Sequence, residues 1–172
     1  MRIMAIDPGN MESAYCVVKA ETMEPLRFDK ISNEALIADL AFENYGDIDV
    51  FVIERVASYG MPVGREVFDT CEWIGRFTQV IFSRYGKMPR YIFRMQEKQV
   101  ICHSNTAGDA NIRRALIDKY AKHDLKNGKG TIRNPDWFYG FRADIWAAYA
   151  VAETYNTIER SEGKNEQESR GL

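Results

Sequence analysis

The stretch Asp49 to Arg55 (DVFVIER) constrains the fold more than any other part of the chain. It is a near-continuous run of β-branched and aromatic residues, the pattern of a strand buried on both faces of its sheet. The run closes on Glu54. A carboxylate at the end of a buried strand holds an expensive charge at the rim of a hydrophobic core. The chain repeats this placement, since the apolar run RIMAID ends on Asp7 and Asp144 opens the small-residue segment ADIWAAYAVA. Three acids gathered by a fold make a site for divalent metal ions, because such hard cations prefer oxygen ligands. That arrangement points to phosphodiester chemistry.

The remaining elements follow from periodicity. Residues 2–7 read as a first strand, with Pro8-Gly9-Asn10 as the turn behind it. Ser13 to Lys19 and Leu26 to Ile31 read as two more, and the short connections imply an antiparallel meander. Asn33 to Tyr45 is helical, with Leu36, Ile37, Leu40 and Ala41 at helical spacing and Ser32 or Asn33 as cap. Arg65 to Tyr85 is a long amphipathic helix whose inner row is Val67, Cys71, Ile74, Ile81 and Tyr85. Trp73 and Phe77 lie apart from that row, an apolar second face suited to self-association. Arg90 to Met95 reads as a fifth strand and Asp109 to Lys122 as a helix. Lys126 to Pro135 is too rich in turn residues for regular structure, and Phe141 to Glu159 forms the last helix.

This order gives an α/β fold with a five-stranded mixed sheet, an antiparallel meander followed by parallel strands, flanked by helices. If the first strand and the Asp49–Arg55 strand are parallel neighbours, their carboxyl ends meet at a switch point where ligands bind. Asp7 and Glu54 then face each other. Residues 1–160 read as one domain, as expected for a chain of 172 residues, and residues 161–172 as a flexible tail.

Charge is distributed unevenly. The formal net charge of −2 divides into −7 over residues 1–83, +8 over residues 84–142 and −3 over residues 143–172. A basic middle block suits a polyanionic partner while the acidic remainder favours solubility. Nothing approaches the roughly 18 apolar residues of a membrane span, and Asp7 comes too early for a secretory segment. Three widely spaced cysteines, Cys16, Cys71 and Cys102, read as reduced thiols of a cytoplasmic protein. Cys102 and His103 alone do not supply the four ligands of a zinc site.

IDPGN, VIERV and ADIWAAYAVA, in that order and at those element ends, resemble the RuvC-type Holliday junction resolvases of the RNase H-like superfamily. GMPVGREVFDTCEWIGRF, GDANIRRALIDKY and NPDWFYGFRADIWAAYAVA are still more similar to the phage-encoded branch, and the resemblance runs from Met1 to about Tyr155. It implies a structure-selective endonuclease acting as a homodimer on branched DNA, four-way junctions above all, in the host cytoplasm. It further implies Asp7, Glu54 and Asp144 as catalytic ligands of two Mg²⁺ or Mn²⁺ ions, with no nucleotide cofactor. One departure stands out. The family carries two aspartates three residues apart on the last helix, whereas here Phe141 and Ala147 flank Asp144 at that spacing. Asp109, Asp136 or Asp69 are candidate replacements.

Lys98, Arg113, Arg114, Lys129, Arg133 and Arg142 are candidate phosphate contacts, which position a backbone without reading sequence. The Gly-containing basic loop from Lys126 to Arg133 is the strongest single candidate. Tyr59, between Glu54 and the long helix, is a candidate for stacking on an exposed base. Three rival readings use the same residues. One is a nuclease acting broadly on branched DNA; another is a junction-binding protein that has lost cleavage, motivated by the absent fourth acid. The third, an actin-like ATPase fragment, lacks a second glycine-rich phosphate loop.

Overall fold

A computed structural model describes residues 1–42, 45–58, 60 and 62–170, with side chains through residue 163. Five strands form one mixed sheet: β1 (Arg2–Asp7), β2 (Glu12–Lys19), β3 (Glu24–Ser32), β4 (Val50–Arg55) and β5 (Arg90–Phe93). Their order is β3-β2-β1-β4-β5, antiparallel through the meander and parallel from β1 to β4 to β5. The expected parallel pairing of the first and fourth strands is present.

Alternation along β1 splits the core in two. Ile3 and Ala5 point to the face covered by α4 (Asp109–Tyr120) and α5 (Ile145–Arg170), with Val52, Ile92, Leu116 and Tyr149 beside them. Met4 and Ile6 point to the face covered by α1 (Asn33–Phe42) and α2 (Arg65–Tyr85), with Phe51, Ile53, Leu36 and Ile74. Because strand side chains alternate with a period of two, Asp7 and Glu54 both fall on the α5 face. Ser32 Oγ accepts the backbone N–H of Ala35 at 3.2 Å, so Ser32 supplies the side-chain cap at the start of α1.

Four expectations need correction. The fifth strand ends at Phe93, and a separate helix, α3 (Arg94–Cys102), begins at once, with the Phe93 N–H donating to Gln96 Oε1 at 2.9 Å. The single buried residue of α3 is Glu97, so the helix has no apolar row to betray it. Phe77 belongs to the buried row of α2, with Thr70, Ile74 and Ile81, while Cys71 is exposed. Within the basic loop, β6 (Gly130–Thr131) and β7 (Asn134–Pro135) pair as a short hairpin. The last helix begins at Ile145 rather than Phe141, because Gly140 (φ 85°) and Ala143 (φ 41°) hold left-handed conformations that interrupt any earlier start. It runs to Arg170, into the segment read as a tail.

Candidate active site

The site is built where the parallel strands end. Ile6 of β1 pairs with Ile53 of β4, so the next residues, Asp7 and Glu54, emerge side by side at the carboxyl end of the sheet. Their carboxyl groups are close enough that, beyond burial, the Glu54 carboxylate helps raise the pKa of Asp7. Asp144 immediately precedes α5, and its carbonyl accepts the first helical hydrogen bond, from Ala148 N at 3.0 Å. Directly before it, Ala143 occupies a left-handed conformation that L-residues rarely adopt, a local cost that the surrounding packing holds in place.

The turn behind Asp7 is braced from below. Buried Ser13 donates from Oγ to Asn33 Oδ1 at 2.6 Å and accepts from Gly9 N at 3.2 Å, while Asn33 Nδ2 donates to the Gly9 carbonyl at 2.9 Å. A Cβ at Gly9 would lie 2.3 Å from the Glu12 carbonyl oxygen, so only glycine permits this close approach.

Electrostatically the place is strained toward negative charge. Burial, then the carboxylates of Glu54, Asp144 and Glu97, hold the Asp7 carboxyl well above its ordinary range. Burial and Glu54 likewise push Glu97 up to about 9, against the opposing pull of Arg94. Two cations answer these acids. Lys30 Nζ lies 2.7 Å from Asp144 Oδ2 and 3.6 Å from Glu12 Oε2. Arg94 Nη1 donates to Glu97 Oε2 at 2.5 Å and its Nη2 to Asp109 Oδ1. Among the described residues no three acids converge on one point as they stand; Asp144 is paired with Lys30, and Glu97 and Asp109 with Arg94. The donor set still fits a hard divalent cation: every donor is a carboxylate, and one buried carboxylate oxygen, Glu97 Oε1, has no hydrogen-bond partner.

The two positions three residues from Asp144 differ sharply. Phe141 is locked in the aromatic core, 4.6 Å from Phe28 and 5.1 Å from Phe138 between ring centroids. Ala147 lines a small pocket of about 80 Å³ together with Asp144, Arg94, Asp109 and Arg113. Of the two positions, only Ala147 lines the same pocket as Asp144.

The other candidates separate by their partners. Asp109 opens α4 with a side chain 90% exposed. Asp136 has a buried carboxylate that accepts backbone N–H groups from Lys122, His123, Asp124 and Trp137; these overcome the burial penalty and hold it well below its ordinary range. It pins the basic loop. Asp69 pairs with Arg65 along α2 at 3.8 Å. Arg113 lies in the Asp144 pocket with its guanidinium 4.6 Å from the Trp146 ring centre. Arg142 reaches Asp29 at 3.1 Å. Arg114 is tied to Asp118 at 2.6 Å and to the Leu125 carbonyl at 2.9 Å. Lys98 is half-buried on α3, while Lys129 and Arg133 belong to the β6–β7 loop. Tyr59 lies outside the described residues. Sequence reasoning missed Glu97, Arg94 and Lys30; the one signal was a charged pair, Arg94 and Glu97, placed just after an apolar strand.

A meander continued by parallel strands from its inner edge, with helices on both faces, is the RNase H-like fold. Among solved structures, RuvC from Thermus thermophilus shares it, with a TM-score of 0.69 at 14% sequence identity, covering 94% of this chain and 97% of that one. The same protein in complex with a Holliday junction substrate matches at a TM-score of 0.69 and 14% identity, over 94% of this chain and 96% of that one. No protein-family model and no curated protein matches the sequence. Among the described residues no helix is long and apolar enough to cross a membrane.

Proposed function

We propose that this chain is a divalent-metal-dependent endonuclease that resolves four-way DNA junctions by paired nicks. The observation that carries the reading is the placement of Asp7 and Glu54 side by side on adjacent parallel strand ends, with Asp144 near enough for its charge to act on Asp7. A fold spends stability to hold like charges together only where something else uses them. Likeness of fold to a protein solved with a junction substrate supports the choice of DNA substrate.

Asp7, Glu54 and Asp144 would hold Mg²⁺ or Mn²⁺, two ions in the fullest case. Bound there, such ions lower the pKa of a water and stabilise charge on the attacking and leaving oxygens of a phosphodiester. The rest falls to the chain. The Ser13–Asn33 brace fixes the turn behind Asp7, so the two strand-end carboxylates keep one orientation. Lys30 holds Asp144 by a positive charge that a metal ion can replace, which frees the ammonium for a phosphate. Arg113, Arg142 and the Lys129–Arg133 loop position the DNA backbone. Exposed Phe68 and Phe82 on α2, with a groove lined in part by Ile37, Trp73 and Val80, supply an apolar surface for a homodimer. The similarity of several stretches to the phage-encoded branch makes recombination or packaging of phage DNA in the host cytoplasm the fitting setting.

Ala147 favours one rival, a junction-binding protein without cleavage. Labelled four-way junction, Y-fork and linear duplex, each incubated with Mg²⁺ or Mn²⁺, separate the readings. Cleavage confined to the junction supports a resolvase. Equal cleavage of Y-forks points to a broader branched-DNA nuclease, and junction binding without cleavage in either metal makes it a binder.

A further inference from the structure

Among the described residues three acids, Asp136, Glu153 and Glu97, have side chains almost wholly withdrawn from water, and their surroundings differ. Asp136 accepts four backbone N–H groups. Glu153, 4% exposed, accepts from Lys119 Nζ at 2.5 Å and from Tyr120 Oη at 2.6 Å, one partner for each oxygen. Glu97, 0% exposed, accepts at Oε2 from Arg94, while Oε1 has no partner. Buried polar groups in native proteins are overwhelmingly satisfied, so a half-bare carboxylate calls for a ligand or another explanation.

Its position supplies one. Glu54 on β4 pairs with Ile92 on β5, and β5 gives way to α3 after Phe93. Asp7, Glu54 and the first turn of α3 thus occupy three consecutive parallel strand ends, in the sheet order β1-β4-β5. Glu97 lies close enough to Glu54 and Asp7 for their charges to act on one another. Arg94, which holds Glu97, lines one pocket with Asp144 and Ala147, so α3 and the start of α5 meet there.

We propose that Glu97 is the fourth carboxylate of the divalent-cation site, supplied by α3 in place of an acid at Ala147. The inference rests on the nuclease reading of Asp7, Glu54 and Asp144. Arg94 is then a positioning residue: it holds Oε2 and Asp109 and leaves Oε1 for the ion.

Direct Mn²⁺ titration by calorimetry, with thermal melting of the same samples, tests this on the full chain as wild type, Asp7→Asn, Glu97→Gln and Glu97→Asp. Glu97→Gln is expected to weaken Mn²⁺ binding about tenfold or more, and to melt near wild type without metal, because glutamine mimics the protonated acid and its amide oxygen can still accept from Arg94. Glu97→Asp, which keeps the charge on a shorter arm, is expected to fall between. Wild-type Mn²⁺ affinity in Glu97→Gln, beside a clear defect in Asp7→Asn, overturns the assignment of Glu97 and leaves the nuclease reading standing. Loss of folding in Glu97→Gln with unaltered Mn²⁺ binding in Glu97→Asp also overturns it, and makes Glu97 a structural partner of Arg94. Absence of Mn²⁺ binding by the wild type overturns both.

Discussion

Asp7 and Glu54 lie side by side because Ile6 and Ile53, one residue earlier on each strand, are paired in parallel register. That one-residue relationship turns two apolar strands into a pair of carboxylates close enough for Glu54 to add to burial in raising the pKa of Asp7. A shift of register by one residue would send one of them to the α2 face.

Replacing either acid removes charge without removing shape. Asp7→Asn and Glu54→Gln are expected to lower junction cleavage by about a thousandfold or more, roughly 4 kcal/mol in the barrier. Junction binding should persist, since the basic surfaces are untouched. A gel-shift assay beside a cleavage assay checks both halves of the claim.

Metal-free stability should fall as the pH rises. The folded-state pKa of Glu97 is raised to about 9 and that of Asp7 is raised as well, so the folded state holds protons that the unfolded chain releases. Stability from these groups is fully present below the unfolded carboxylate range, about pH 4. It is lost as the pH climbs to about 9 for Glu97, at up to roughly 1.4 kcal/mol per pH unit for each group out of step. Urea melts in chelator at pH 5, 7 and 9 should show the decline, and saturating Mn²⁺ should flatten it.

Asp136 is expected to behave in the opposite way. Its depressed folded pKa gives stability present above the unfolded carboxylate value and lost as the pH falls below it. Asp136→Asn should cost about 1–3 kcal/mol, because several backbone N–H groups lose a charged acceptor, while Mn²⁺ affinity stays near wild type. Denaturant melts and calorimetry decide this.

Arg133 and Arg114 should separate binding from folding. Arg133 is exposed at the β6–β7 hairpin, whereas Arg114 is held by Asp118 and the Leu125 carbonyl. Arg133→Ala is expected to weaken junction binding and lower the salt slope by about one. Arg114→Ala should change the slope less and the melting temperature more. Binding measured across a series of salt concentrations reads both.

Much of this architecture was legible in the residues. The near-continuous apolar run before Glu54 marked a doubly covered strand, and the short gaps between residues 2 and 31 marked a meander. Asp7, Glu54 and Asp144 stood out because each ends or opens an element where no packing role needs a charge. Glu97 did not, for a physical reason: α3 buries a glutamate instead of an apolar row, so its periodicity carries no helix signal. Phe77 falls outside the row that apolar spacing marks because the inner row of α2 follows Thr70, Ile74, Phe77 and Ile81, and a buried threonine breaks the apolar pattern. The late start of α5 depends on left-handed backbone at Gly140 and Ala143, and alanine gives no warning of such a conformation.

The central claim meets its most direct test in nick mapping on a four-way junction labelled in turn on each strand, for wild type and Asp7→Asn with Mg²⁺ or Mn²⁺. The account predicts paired nicks, symmetrically placed on two strands of like polarity, that vanish in Asp7→Asn. Nicks that persist in Asp7→Asn, or a junction bound but left intact by the wild type in both metals, would contradict it.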